Sequence, residues 1–371
     1  MSSRIPVWLD VDPGHDDATA IMLAIHLPNI QLLGISTTYG NSSAHHTTQN
    51  AARCLLAFGG SNIGVRVYPG ASKPLILPAR YAPNIHGTDG LGGIEGLPEA
   101  DDPVVLEIIA EDEHGEIIHA LDGMVAHIKQ TWNNGVGKKV TVVSCGPMTN
   151  IALFISVYPE LLDGIEQFIF MGGAVGLGNK SAVAEFNMLC DPHAAQIVLD
   201  APVPTVMIPL NTTHQARVTR DIHIKLLSGS KQASDIGGDH LPSAQTPLRH
   251  TLSTLVSFFT ETYKSAHGFD APPLHDALAV AYVALGKDVF PETQSRRYRV
   301  DVELTGQHTL GETVVGVRGC RNKCSDNSWG SKGKNCIVVL GLDVDKFFNV
   351  FLECVDRCDR VSPLNQGGST S

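Results

Sequence analysis

The sequence predicts an α/β fold, an open and mostly parallel sheet with helices on both faces, and three observations predict it. Short apolar runs alternate with longer segments of helical periodicity along most of the chain. Several of those runs stop at glycine or an acid, as buried strands do where the chain turns toward a helix. The 371 residues are 43 % hydrophobic, enough for one sizeable core, and no repeat or linker divides them.

Taken in order, Ile5 to Leu9 reads as a buried strand and His15 to His26 as a helix stopped by Pro28. Gln31 to Thr38 is a second strand, Ala44 to Phe58 a second helix, and Val65 to Tyr68 a short third strand. Val140 to Ser144 and Phe168 to Met171 are buried strands followed by glycine-bearing turns. Asp191 to Leu199 reads as a helix with Asp191 as N-cap and Pro192 in its first turn, followed by a strand over Val203 to Ile208. In such sheets ligands bind beyond the carboxyl ends of the strands. One domain is expected over residues 1–361. It carries an acidic surface insertion near 99–116, a Gly/Ser-rich mobile loop over Ser228 to Gln245, and another insertion near 318–336. From Arg297 onward short alternating segments, Tyr298 to Leu304 and Cys336 to Leu340 among them, predict a C-terminal hairpin insertion. Residues 362–371 read as a disordered tail.

The net charge of −11 argues against a nucleic-acid partner and suits a metal ion or a small neutral ligand. No apolar run approaches the ~18 residues needed to span a membrane, and no leader pattern is present, so a soluble cytoplasmic protein is expected. The eight cysteines then read as free thiols. Cys320, Cys324 and Cys336 could be taken for a zinc site, but the C-x-x-x-C spacing departs from the usual C-x-x-C pairs.

The most informative stretch is WLDVDPGHDDA. Asp10 and Asp12 are two apart at a strand end and share a face. Pro13 and Gly14 turn the chain, and Asp16 and Asp17 open the next helix. Carboxylates this close repel one another unless a cation lies between them. All-oxygen ligands favour calcium or magnesium over zinc. Helix capping by Asp16 and Asp17 accounts for two of these acids, not all four. A DxD after the first strand also suits a phosphotransferase of the haloacid dehalogenase type, but no convincing Lys and later acidic pair complete that site.

DVDPGHDDA closely resembles the N-terminal signature of the inosine-uridine nucleoside hydrolase family. TTYGN ending at Asn41, SCGPMTNIA from Ser144, MGG from Met171, AEFNMLCDPHAA from Ala184 and PPLHDALAV from Pro272 follow in the family's order. The resemblance covers roughly residues 5 to 305. It implies hydrolysis of the N-glycosidic bond of ribonucleosides such as uridine or inosine, in a homodimer or homotetramer. It implies one calcium ion held by Asp12, Asp17, Asp276 and the main-chain oxygen of Cys145, with Asp10 orienting the site from behind. Asp12 is then the general base that activates a metal-bound water. Asp16, Asn41, Asn179, Glu185 and Asn187 are expected on the ribose hydroxyls, types that accept and donate as vicinal hydroxyls require. His275 is expected near the leaving base. His86, on the glycine-rich stretch NIHGTDGLGG, and Tyr263 with His267, one helical turn apart, are expected to cover that base. A silent nucleoside-binding protein and a phosphorylase are the competing readings. Possession of all four motif acids weighs against the first, and a requirement for phosphate would mark the second.

Overall fold

A strand that is apolar on both sides must be covered on both. In β1 (Ile5–Val11), Val7, Leu9 and Val11 enter one core and Trp8 the other, and all four are inaccessible to solvent. The computed structural model describes residues 4–229, 240–317 and 327–366.

After β1 come α1 (His15–His26), β2 (Ile30–Thr37), α2 (Ala44–Ala57) and the short β3 (Val67–Pro69). Single turns α3 (Pro83–His86) and α4 (Pro103–Leu106) precede α5 (Ala120–Trp132). Then follow β4 (Val140–Ser144), α6 (Thr149–Val157), β5 (Ile165–Met171), α7 (Phe186–Cys190), α8 (Pro192–Asp200) and β6 (Thr205–Ile208). The helices α9 (Leu210–Thr213), α10 (Arg220–Ser228), α11 (Pro247–His267) and α12 (His275–Leu285) are consecutive. The chain closes with β7 (Ser295–Tyr298), β8 (Val300–Val302), β9 (Thr313–Val315), β10 (Cys336–Val339) and α13 (Val344–Val361).

The main sheet has the order β3-β2-β1-β4-β5-β6-β10-β7, parallel throughout except for the β10–β7 pair. The chain winds outward from β1 in one direction through β2 and β3, and in the other through β4, β5 and β6. The carboxyl ends of β1 and β4 therefore flank the switch point, where a crevice opens. Helices α1, α2, α12 and α13 pack on one face, and α5, α6 and α8 on the other.

The C-terminal region differs from the expected hairpin insertion. β10 joins the main sheet between β6 and β7, parallel to the first and antiparallel to the second, while β8 and β9 form a separate antiparallel pair. α13 was not anticipated at all, although Phe347, Phe351, Leu352, Val355 and Cys358 recur at helical spacing on its buried face. Residues 362–366, read as the start of a tail, are packed: the Ser362 hydroxyl donates to the Ala57 carbonyl at 2.7 Å, and Asn365 accepts from the Leu248 amide at 3.0 Å. The acidic stretch near 99–116 lies along the β3 edge, where Val67 exchanges backbone hydrogen bonds with Ile108 and Ala110 and Val105 enters the core. Cys54, Cys145, Cys190, Cys336, Cys354 and Cys358 are free and buried, whereas Cys320 and Cys324 lie outside the described residues, as does most of the predicted loop over 228–245.

Helix α11, which carries Tyr263, is tied to α13 by a buried cation. The Arg249 guanidinium donates to Asp356 at 2.5 Å, to Asp359 at 2.9 Å and to the Leu226 carbonyl at 2.6 Å. Removing one partner of such a pair leaves charge stranded. Arg249→Ala should lower stability by about 3 kcal/mol, the low end of the range for a broken buried pair, because Asp356 and Asp359 keep some solvent access. Denaturant unfolding would register the loss, and a change below about 1 kcal/mol would reduce this cation to a surface contact.

Candidate active site

The crevice floor is built by the turn after β1. The Asp17 carboxylate accepts from the Gly14 amide at 3.0 Å and the Asp12 amide at 3.2 Å, so it caps the first turn of α1. Capping thus explains Asp17 but not its neighbours. Asp12 accepts from the Asn41 amide at 2.8 Å through Oδ2, while its Oδ1 is buried without a partner. Oδ1 of Asp16 and Oδ2 of Asp10 are buried and unpartnered too. The Asp10 carboxylate otherwise lies behind the site, taking hydrogen bonds from Ser36 at 2.5 Å and Asn150 at 2.7 Å.

Two glycines make room for Asp12. A Cβ at Gly40 would lie 2.0 Å from Asp12 Oδ2, and one at Gly146 would lie 2.5 Å from Oδ1. Any side chain at either position displaces the carboxylate. From the far end of the chain, the first turn of α12 adds Asp276. Ligand atoms of Asp16, Asp17 and Asp276 all lie within 4.8 Å of one another.

Burial is the main reason that all five acids hold their protons more tightly than ordinary carboxyls. It raises Asp10 to about 7, Asp16 to about 8 and Asp17 to about 6, and lifts Asp12 and Asp276 well above the usual range. Neighbouring acids add to the rise at Asp10, Asp12, Asp16 and Asp276, whereas Asp17 is raised least because two backbone amides donate to it and Asp276 also lowers it. The orphaned oxygens of Asp12 and Asp16 would be satisfied by a positive charge at this cluster, and the donor set, oxygen only, fits a hard divalent cation.

Above this floor lies a small cleft, its accessible cavity about 50 Å³. Asp16, Asn41, Cys145, Glu185, Asn187 and Asp276 line one part of it; Asp12 and Asp17 sit behind that lining. The Asn41 side chain donates to Asp17 at 3.1 Å, and that of Asn187 to the Cys145 carbonyl at 2.8 Å. Aromatic and imidazole groups of Phe186, Phe259, Tyr263, His86, His267 and His275 form other walls. The Tyr263 hydroxyl is 2.5 Å from His275 Nε2, and the opposite ring nitrogen is 2.7 Å from the Thr213 hydroxyl. Burial drives the His275 and His86 rings well below the usual imidazole pKa, so both are held neutral.

Residues 7–349 match the family described as inosine-uridine preferring nucleoside hydrolase. The chain belongs to that family. Its enzyme class follows: this nucleoside hydrolase is a ribonucleoside N-glycosyl hydrolase. It is 34 % identical over 354 residues to the inosine-uridine preferring nucleoside hydrolase of Leishmania major, covering 95 % of this chain and 97 % of that one. Identity to a pyrimidine-specific ribonucleoside hydrolase of Shewanella woodyi is 36 % over 358 residues, covering 96 % and 99 %. Among solved structures, the purine-preferring ribonucleoside hydrolase from Gardnerella vaginalis superposes with a TM-score of 0.76 at 28 % identity, covering 96 % of this chain and 100 % of that one.

Of the nucleoside hydrolase residues expected from sequence, Asp16, Asn41, Cys145, Glu185, Asn187, Asn179, His86, Tyr263, His267, His275 and Asp276 share this one cleft. Among the described residues, the acids whose ligand atoms gather within 4.8 Å are Asp17 and Asp276 with Asp16, which the resemblance placed on the sugar. Glu185 and Asn187 do not share one extended segment, since Glu185 is extended but the helix begins at Phe186. Glu185 is the N-cap of α7, accepting from the Asn187, Met188 and Gly173 amides, and Asn187 sits in its first turn.

Three neighbours escaped sequence reading. His15 donates from Nε2 to the Gly92 carbonyl at 2.9 Å, stacks on Phe258 and touches His86, so it pins the glycine-rich segment to α1. Its signal in the sequence is its place inside the acid motif. Thr213, which holds His275, carried no local signal. Lys180 lines the cleft beside Asn179.

Proposed function

We propose that this enzyme hydrolyses ribonucleosides of the uridine and inosine kind to free base and ribose, with calcium as its metal. One observation carries the reading: a single cleft has a buried acid cluster with orphaned oxygens on its floor and a Tyr–His pair with neutral imidazoles on its walls. The preferences in the relatives' names differ among inosine-uridine, pyrimidine and purine, so base choice rests on the cleft walls rather than on the acid motif.

Asp17 and Asp276, with Asp12, the Cys145 main-chain oxygen and the adjacent Asp16, would hold the ion. When bound, a hard divalent cation supplies the charge that lets these acids ionise together and makes nearby water more acidic. Asp12, fixed through Oδ2 by the Asn41 amide, keeps Oδ1 available to take the proton of the attacking water. Asp16, Asn41, Asn179, Glu185 and Asn187 hold the ribose hydroxyls, an arrangement that favours the flattened, cation-like sugar of the transition state over the ground state. Tyr263 and His275 meet the departing base. Asp10 braces the turn from behind.

The test is incubation with a nucleoside panel in phosphate-free buffer, with and without chelator, while free base and reducing sugar are measured. Equal release of base and ribose without phosphate is expected, abolished by chelation and restored by calcium. Elemental analysis of untreated protein should find about one calcium per chain. A phosphate requirement, or stoichiometric zinc in its place, would contradict the proposal.

A further inference from the structure

Asn179 lines the cleft, and its side-chain oxygen is buried without a hydrogen-bond partner. A buried amide oxygen is an acceptor that calls for a donor, and a ribose hydroxyl is one. Yet Asn179 stands on no helix or strand. It lies between β5 and α7, where Gly176 takes a φ of +73° and Gly178 leaves no room for a side chain. A Cβ at Gly178 would lie 2.3 Å from the Ser181 carbonyl oxygen. A segment with no ladder of its own presents a side chain in one place only if its ends are tied down.

The far end is tied locally. The Asn179 and Lys180 amides both donate to the Ala184 carbonyl at 3.2 Å, and the Ser181 hydroxyl accepts from the Ala184 amide at 3.0 Å. The near end is tied from a distance. Asn211 accepts from the Val175 amide at 2.7 Å and donates to the Val175 carbonyl at 3.1 Å. One side chain thus engages both backbone groups of one residue, as a neighbouring strand would. Beside it, the Leu210 amide donates to the Gly173 carbonyl at 3.0 Å, and the Thr313 hydroxyl accepts from the Ala174 amide at 2.8 Å. Asn211 itself has a firm mount. It belongs to α9, whose Thr212 hydroxyl donates to the Val339 carbonyl of β10 at 2.6 Å and whose Thr213 meets His275.

We propose that Asn211 is a positioning residue for the ribose: by clamping Val175 it fixes the segment that presents Asn179 to a sugar hydroxyl. This role rests on the hydrolase reading above. Asn211 does not line the cleft, so it acts through Asn179 and not by touching the substrate. Without it both backbone groups of Val175 lose their side-chain partner. Two of the three residues between Val175 and Asn179 are glycines, whose backbone freedom passes any slack at Val175 on to Asn179. The contact of Asn179 with a hydroxyl exists before and during bond cleavage. Its loss therefore weakens binding of substrate and transition state alike, which raises KM and spares kcat.

The experiment is a double-mutant cycle on uridine or inosine, whichever wild type cleaves faster, at saturating calcium: wild type, Asn179→Ala, Asn211→Ala and the double variant. The near-isosteric Asn211→Leu runs beside Asn211→Ala, so that a folding defect from truncation does not end the test. Melting curves verify folding. Each Asn211 variant should raise KM by about 5- to 10-fold, roughly the worth of one neutral hydrogen bond, with kcat changed by less than about 2-fold. In the Asn179→Ala background the same substitutions should add less than about 2-fold to KM. Losses that multiply in full would make Asn211 a structural residue independent of Asn179 and overturn the proposal. Unchanged KM in either single variant, or a loss confined to kcat, would overturn it as well. Wild type releasing no base from uridine or inosine would sink the hydrolase reading itself, a result distinct from an active wild type indifferent to Asn211→Ala.

Discussion

Asp12→Asn should cut turnover by at least 10²–10⁴-fold, roughly the range for loss of a general base. The substitution keeps the shape of the side chain, which matters in a slot where Gly40 and Gly146 leave no spare room. The amide oxygen can still accept from the Asn41 amide, so the turn after β1 should hold. What disappears is the unpartnered Oδ1 with its capacity to take a proton, and a negative charge beside Asp17 and Asp276. Asp12 lies behind the cleft lining, whereas Asp16 forms part of it. Asp16→Asn is therefore the informative comparison. If Asp12 is the base, its variant loses kcat at saturating calcium, while Asp16→Asn raises KM as well. Wild-type turnover in Asp12→Asn, measured with uridine, would remove Asp12 from the proton transfer.

His275→Ala should lose about 10²–10⁴-fold on natural nucleosides and far less on p-nitrophenyl riboside, whose leaving group needs no proton. The geometry sharpens this expectation. Both ring nitrogens are engaged, one with the Tyr263 hydroxyl and one with that of Thr213. Any proton His275 supplies to the base passes over the Tyr263 hydroxyl or follows its displacement. Tyr263→Phe should then show the same contrast between substrates, to a smaller degree. Equal losses on both substrates would leave His275 as a packing group that orients α12 and its Asp276.

Much of the local structure was legible because it depends on nearest neighbours. The limits of α1 at His15 and His26 follow from the glycine before it and the proline after it, and β4 falls on Val140–Ser144 as read. Asp191 caps α8 by accepting from the Ala194 amide at 3.0 Å, as its place before Pro192 implied. Helix α13 was lost among short alternating segments, although Phe347, Phe351 and Val355 repeat at helical spacing.

The sequence by itself determined the acid motif, its turn and the α/β alternation, because spacing within one strand–turn–helix unit is set by local geometry, and its resemblance to the nucleoside hydrolase family pointed to most of the residues that line the cleft. Tertiary structure alone decided the rest. It placed β10 between β6 and β7, brought Asp276 to acids near the start of the chain, and paired Thr213 with His275. It showed the Glu185 carboxylate accepting from the backbone amides of Gly173, Asn187 and Met188, and the Lys180 ammonium resting over the Phe186 ring. The physical reason is that a carboxylate's proton affinity and a cation's availability depend on burial and on neighbours gathered from distant segments, and no local pattern encodes that gathering.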